Sequence, residues 1–296
     1  MTQFLSLLLN GISLGVLYAL IAMGFVIIFK ASEVVSFMHG SLLLLGAYSI
    51  ARLSGPFGFF PAILVGMLIT ATAAFLVERL IINRLRGAPV ISLAIVTIGV
   101  DIILLTELIR RIGSDLLNVP HPWGGDSFRI GNVGISQNRL IAIFVAAALI
   151  ALFFAAFKYS NWGIAMRASA EDGETAALMG IRQGQVSALA WVVAGVLAAV
   201  AALFLVGSPT PGVTPAAYAV ALRAFPAAIL GGLDSVGGAL VGGLLIGIAE
   251  AMAAGYQDQL LFLGRGFSAV VPFIVMIAVL LFRPSGLFGT KELTRV

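Results

Sequence analysis

Cysteine is absent from the 296 residues, so disulfides, thiolate metal sites and cysteine nucleophiles are excluded. Histidine occurs only as His39 and His121, far apart in the chain. That leaves little from which to build a nucleophile–base or metal constellation, and it speaks against an intramembrane enzyme. Charge is scarce: 10% of the residues are charged, against about 25% in soluble domains, and 60% are hydrophobic, against about 45–50%. No G-x-x-x-x-G-K-[ST] phosphate loop occurs, and the only lysines are Lys30, Lys158 and Lys291. A chain so short of polar groups cannot face water all round and reads as a polytopic membrane protein.

What is present is long apolar sequence. Residues 1–29, 53–77, 140–157, 183–222 and 266–282 carry no charge at all. Stretches 34–51, 87–100 and 235–249 are shorter candidates. A bilayer core of ~30 Å needs about 20 helical residues. Nine hydrophobic segments result, at about 5–29, 34–51, 57–81, 88–108, 139–158, 184–206, 217–231, 237–255 and 266–283. The fold class expected is an all-α polytopic membrane protein of eight or nine transmembrane helices in one domain spanning 1–296. Segments 34–51 and 217–231 are short enough to be broken or re-entrant. The first stretch is too long, and lacks the basic start, for a cleaved secretory signal.

Loop charges set the expected orientation. Lys30, Arg79, Arg84, Arg86, Lys158, Arg167, Arg182, Arg283, Lys291 and Arg295 fall on one face. Arg52, Arg110, Arg111, Arg129, Arg139 and Arg265 fall on the other, and Arg223 lies within a span. Ten against six places the first set in the cytoplasm, with the N-terminus outside and the C-terminus inside. The +4 net charge thus reflects cytoplasmic loops, not a nucleic-acid partner. The main outer loop, about 113–138, is rich in Gly, Pro and Asn, and its stretch 128–135 has the pattern of a small hairpin.

Small-xxx-small pairs at Gly11/Gly15, Gly238/Gly242 and Gly243/Gly247 allow helix backbones to approach closely where lipid provides no hydrophobic drive. Two polar, glycine-bearing breaks resemble each other: 34–41, followed by Gly46, and 233–238, followed by Gly242 and Gly247. Corresponding interruptions in two halves point to a transport path. Asp101, Arg223 and Glu250 fall at membrane depth, where charges face a cavity or a partner, and Arg223 pairs with either carboxylate. Glu78, Arg79 and Glu107, near span ends, are expected to snorkel to the interface. The candidate path is His39, Gly40, Thr97, Asp101, Arg223, Gly232, Asp234 and Glu250, with His39 also readable as a packed polar residue.

The remaining polar feature is the segment 159–183, which joins two strong spans. Asp172 caps a helix starting just after it, Glu174 adds negative charge to its first turn, and Gly180 ends it in the left-handed conformation. One or two turns result, too short to stand alone in water, so something must pack on them. Leu178, Met179 and Ile181 offer apolar contact.

Here the sequence resembles a known family. Arg167, Ala168, Ala170, Asp172, Glu174, Ala176, Leu178, Gly180 and Ile181 match the cytoplasmic coupling motif of permeases from branched-chain amino acid ABC importers, of the high-affinity leucine/isoleucine/valine type. Asn10-Gly11-Ile12 with Tyr18-Ala19-Leu20 resembles the family's first helix, and His39-Gly40 with Gly46-Ala47-Tyr48 its second. Thr97-Ile98-Gly99, the glycine-rich turn from Ile229 to Gly238, and Arg283-Pro284-x-Gly286-Leu287-Phe288-Gly289 agree in order. Gly173 departs from the pattern, where proline or a better helix former is expected.

The resemblance implies a permease subunit of the bacterial inner membrane that moves branched-chain amino acids or a related small solute inward by alternating access. It implies no bound cofactor, with ATP used by two cytoplasmic P-loop ATPase subunits. Those subunits would grip Arg167, Ala170, Glu171, Asp172, Glu174, Ala177, Leu178, Gly180 and Ile181. A second related permease, or a copy of this chain, would complete the pore, and an external solute-binding protein would deliver the cargo. The rival reading is an ion-coupled secondary transporter or channel using Asp101 and Glu250.

Overall fold

Backbone N–H and C=O groups in hydrocarbon must satisfy one another within a segment, so the apolar runs fold as helices. The computed structural model describes residues 2–113, 116–119, 122–123, 127–130, 133–207 and 212–290. Its helices are α1 (Thr2–Ser32), α2 (His39–Phe57), α3 (Phe59–Leu80), α4 (Val90–Ile112), α5 (Gln137–Tyr159), α6 (Asn161–Glu171), α7 (Gly173–Leu178), α8 (Gln183–Leu205), α9 (Ala216–Arg223), α10 (Phe225–Gly231), α11 (Val236–Gly255) and α12 (Val271–Phe282). Six of them, α1, α3, α4, α5, α8 and α11, are long and apolar enough to cross a membrane. The other expected segments are the shorter α2, the α9–α10 pair and α12. A hairpin of β1 (Ser127–Ile130) and β2 (Val133–Ser136) pairs Ser127 with Ser136, one residue beyond the expected stretch 128–135 at each end. Its turn residues Gly131 and Asn132 lie outside the described residues, as do His121, Lys291 and Arg295.

Both segments expected to be broken are broken. After α1 the chain is irregular through residues 33–36, and Glu33 sits in the left-handed region at φ 54°. This stretch doubles back along α1, so that α2 starts with His39 against Gly24 and 4.7 Å from the Phe25 ring. Gly24 lies eight residues, roughly 12 Å, short of the end of α1. The α2 helix therefore begins at membrane depth. The irregular backbone is held there by Thr97, whose Oγ1 accepts from Phe37 N–H at 3.1 Å. The second break comes at Ala224. Pro226 has no N–H to give the turn before it, and the helix divides into α9 and α10.

Packing relations recur in pairs. The α1 helix packs on α11 as α8 packs on α3, and α2 packs on α3 as α10 packs on α11. Likewise α2 meets α8 and α4, while α10 meets α1 and α12. The set α1–α2–α3–α4 thus corresponds to α8–(α9, α10)–α11–α12. Since the start of α1 and the end of α8 line one cavity, the halves run in opposite directions, as an inverted repeat. The pairing expected from sequence is off by one helix. The break at 34–41 precedes α2, but that at 233–238 precedes α11, the counterpart of α3. The glycines that looked alike serve different contacts: Gly46 packs on Ala199 of α8, Gly247 on Gly15 of α1.

The α1–α11 seam is backbone on backbone. A Cβ on Gly247 would lie 2.2 Å from Gly15 Cα, and one on Gly243 would lie 2.4 Å from Ala19 N. Described members of the two sets of basic residues, Lys30 and Arg86 against Arg139, fall at opposite ends of the bundle. Lys30, Arg86 and Gln183 share a cavity with Gly173 at one end, and Asn10, Arg139 and Phe204 share another at the opposite end. At the Lys30 end the tail 283–290 folds back on the α10–α11 elbow. Leu287 N–H donates to Leu230 O at 2.8 Å and Phe288 N–H to Gly231 O at 3.1 Å.

Candidate functional site

The segment between α5 and α8 is a built surface element. Ser160 Oγ accepts from Gly163 N–H at 3.0 Å and starts α6, an eleven-residue helix that the sequence reading, which expected one or two turns, left out. The Ser160-x-x-Gly163 pattern is the missed signal. Arg167 lies over the Phe157 ring at 5.2 Å and donates to the Phe157 carbonyl, so it ties α6 to the end of α5.

Asp172 then caps α7, with Oδ1 accepting from Thr175 N–H at 3.0 Å and Oδ2 from the Thr175 hydroxyl at 2.6 Å. The helix ends in a Schellman motif around Gly180, at φ 88°, with Ile181 N–H donating to Ala176 O and Gly180 N–H to Ala177 O, both at 3.0 Å. Gly173 has a local reason: its carbonyl accepts from the Gln183 amide, and a Cβ would meet that amide at 2.8 Å. Only Ala176 of α7 is buried. Ala170, Glu171, Asp172, Glu174, Ala177 and Gly180 are exposed, and Ile181 is half-buried. Leu178 and Met179 stand 85% and 80% exposed, side by side.

The two bonds from Thr175, hydroxyl first, hold the Asp172 carboxyl below the usual carboxylate range. A depressed folded pKa contributes stability above the unfolded value, about 3.9, and loses it as pH falls through the folded one. The cap is therefore constant from pH 5 to 8. Asp172→Ala is expected to lower the amide-exchange protection of Thr175, and Asp172→Asn to preserve most of it, because asparagine also caps well.

At membrane depth two carboxylates take side-chain partners. Arg223 Nη1 donates to Glu250 Oε1 at 2.7 Å, and the Tyr18 hydroxyl donates to Oε2, also at 2.7 Å. Asp101 is not the partner of Arg223; it accepts from the Tyr218 hydroxyl at 2.6 Å. The Tyr218 ring also rests on Gly40, where a Cβ would fall 2.8 Å away. The short helix α9 thus carries both Tyr218 and Arg223 to carboxylates on α4 and α11. From sequence Tyr218 is not singled out, and Tyr18 enters only through the resemblance to the family's first helix. With only five in the chain, a tyrosine mid-span is itself a signal, since its hydroxyl needs a partner.

Three of the expected path residues lie apart from these pairs. His39 is fully buried, with no hydrogen-bond partner for either ring nitrogen among the described residues. Gly232, at φ 104°, backs onto Gly289, and Asp234 Oδ2 accepts from Thr290 N–H at 2.8 Å, so both hold the tail rather than the mid-membrane pairs. Glu78, expected to snorkel, is fully buried, with Arg86 3.7 Å away. Glu107 does lie at the surface, paired with Arg110 and Arg111 at 2.8 and 2.5 Å.

The Arg223–Glu250 pair lines a cavity of about 490 Å³ at the end of the bundle opposite α7. Glu250→Leu leaves Arg223 and Tyr18 without their acceptor and is expected to cost about 3–5 kcal/mol; adding Arg223→Met should recover most of it. Thermal unfolding of the single and double variants in detergent checks this.

Comparison with known proteins decides the family. The family model described as branched-chain amino acid transport system / permease component matches residues 7–280. The chain belongs to that permease family. It is 32% identical to the high-affinity branched-chain amino acid transport system permease protein BraD of Pseudomonas aeruginosa, with 99% of this chain and 98% of that one covered. It is 31% identical to the LivH permease protein of Escherichia coli over the same shares, and 30% identical to a probable LivH permease of Methanocaldococcus jannaschii over 95% and 91%. Among solved structures, the PsaBC complex from Streptococcus pneumoniae with a Fab shares the fold. Its TM-score is 0.50 at 15% identity, with 92% of this permease and 89% of that chain covered.

Proposed function

We propose that this permease is the membrane-spanning subunit of an ATP-driven importer carrying branched-chain amino acids, or a related small solute, inward across the bacterial cytoplasmic membrane. Family membership supports the permease role. The observation that carries the energy source is α7: a six-residue helix, capped at both ends, holding Leu178 and Met179 almost fully clear of the protein. A helix this short is not stable in water by itself. Its rigidity and exposed apolar pair suit a docking site for a cytoplasmic P-loop ATPase, two of which would serve the complex. A second permease, or a copy of this chain, completes the pore, and an external binding protein supplies the solute.

With α7 in the cytoplasm, the N-terminus lies outside and the C-terminus inside. Transport proceeds by alternating access. ATPase closure pushes on α6–α7, and nucleotide and binding protein shift the equilibrium only by binding one state better than the other. An ion-coupled mechanism would rest on Asp101 and Glu250, and each already accepts a hydrogen bond from a neighbouring side chain.

The test is purification of the chain from its native membrane in mild detergent, followed by mass spectrometry. A co-purifying P-loop ATPase, with ATP-dependent leucine uptake in liposomes, is the expected result. A chain that purifies alone and transports under an ion gradient overturns the proposal.

A further inference from the structure

The cavity opposite α7 is lined by a cation, Arg139, that has no carboxylate partner among the described residues. Most of its wall is apolar, with Leu14, Phe204, Val220 and Ala254 contributing. Glu250 is the one carboxylate among the described lining residues, and Arg223 already neutralises it. Arg139, in the first turn of α5, is different. It is half-buried and donates to the Asn10 side-chain oxygen, and among the described residues no carboxylate lies in salt-bridge range of it.

Guanidinium presents five N–H donors in a planar fork that matches a carboxylate two bonds at a time. An unpaired cation partly withdrawn from water is unfavourable, and in membrane proteins such groups face a cavity or a partner. The volume lies within the about 300–1,000 Å³ typical of small-molecule sites.

We infer that this cavity is a solute site within the single permease chain, in which Arg139 takes the carboxylate of a small zwitterionic amino acid. The apolar wall receives the hydrocarbon side chain, and Glu250 faces the ammonium. At the cavity floor the ammonium competes with Arg223 for Glu250, so the occupant loosens the bond that ties α9 to α11. The permease thus checks the cargo's carboxylate itself, in addition to whatever the external binding protein selects. This inference rests on the transport reading above.

The test uses the purified transporter in nanodiscs without its external binding protein. Radiolabelled L-leucine is the probe, with isocaproate (no amine) and isoamylamine (no carboxylate) as competitors. Expected are saturable leucine binding, competition by isocaproate and not by isoamylamine, and binding weakened about tenfold or more in Arg139→Met, with partial retention in Arg139→Lys. Subunit co-purification and basal ATPase activity of the variants report their folding. Competition by isoamylamine equal to that by isocaproate, or wild-type binding by a folded Arg139→Met transporter, overturns the site. So does a wild type that takes up leucine with ATP yet binds none in this assay. Failure of ATP-driven uptake as well removes the transport reading, and the site with it.

Discussion

Replacing Leu178 and Met179 together by aspartate is expected to reduce ATP-driven uptake at least tenfold while leaving insertion and thermal stability of the permease unchanged. Both side chains already stand in water, so neither change empties the core or strands a buried partner. What they would contribute is anchor area to a partner, and interface energy concentrates in a few such anchors. Placing two charges there adds like-charge repulsion with the neighbouring Glu171, Asp172 and Glu174 and a desolvation cost on docking. The measurement is uptake beside ATP hydrolysis in reconstituted vesicles. Hydrolysis without uptake, or loss of the ATPase from the complex, is the expected pattern; wild-type uptake would remove α7 as the coupling element. Ala176→Asp provides the contrast, because Ala176 is buried and a charge there should unfold the element itself.

The second large effect lies in the α1–α11 seam. Gly247→Leu places a branched side chain where even a Cβ would sit 2.2 Å from Gly15 Cα and 2.9 Å from Gly11 O. Those atoms are backbone and cannot rotate aside, so the two helices must separate along a seam where close van der Waals packing is the chief attraction. A loss of about 3 kcal/mol or more is expected, at or beyond the upper end for overpacked cores. It should be read as a large fall in the thermal midpoint in detergent and as rapid proteolysis. Gly99→Leu is the control: a Cβ on Gly99 meets nothing within 4 Å, and that variant should be as stable as the parent.

Much of this was legible in the sequence, and the reasons are local. Asp172 and Gly180 announce α7 because cap chemistry depends on two or three neighbouring residues. The apolar runs announce the spans because hydrocarbon leaves the backbone no other structure. The partner of Arg223 was narrowed to two carboxylates and no further, since choosing Glu250 over Asp101 depends on how α9 meets α11 and α4. The repeat was visible, but its register was not. Glycines beside polar breaks look alike in sequence, whether they pack against α8, as Gly46 does, or against α1, as Gly247 does. Glu78 was misread for a similar reason: a carboxylate near a span end snorkels only if its helix face is outward, and that face is set by α8.

The α1 helix is enclosed without interruption from residue 15 to residue 28, and its principal partner is α11, more than 200 residues later in the chain. During synthesis α1 enters the bilayer first and must wait there with its Gly11–Gly15 face turned to lipid until α11 arrives. Such a high contact order makes maturation a late, whole-chain event. Neither half of the repeat is self-sufficient, because each lends its first helix to the other. Nascent chains that stall before α11 would therefore present unsealed small-residue grooves, which makes them natural substrates for membrane quality control.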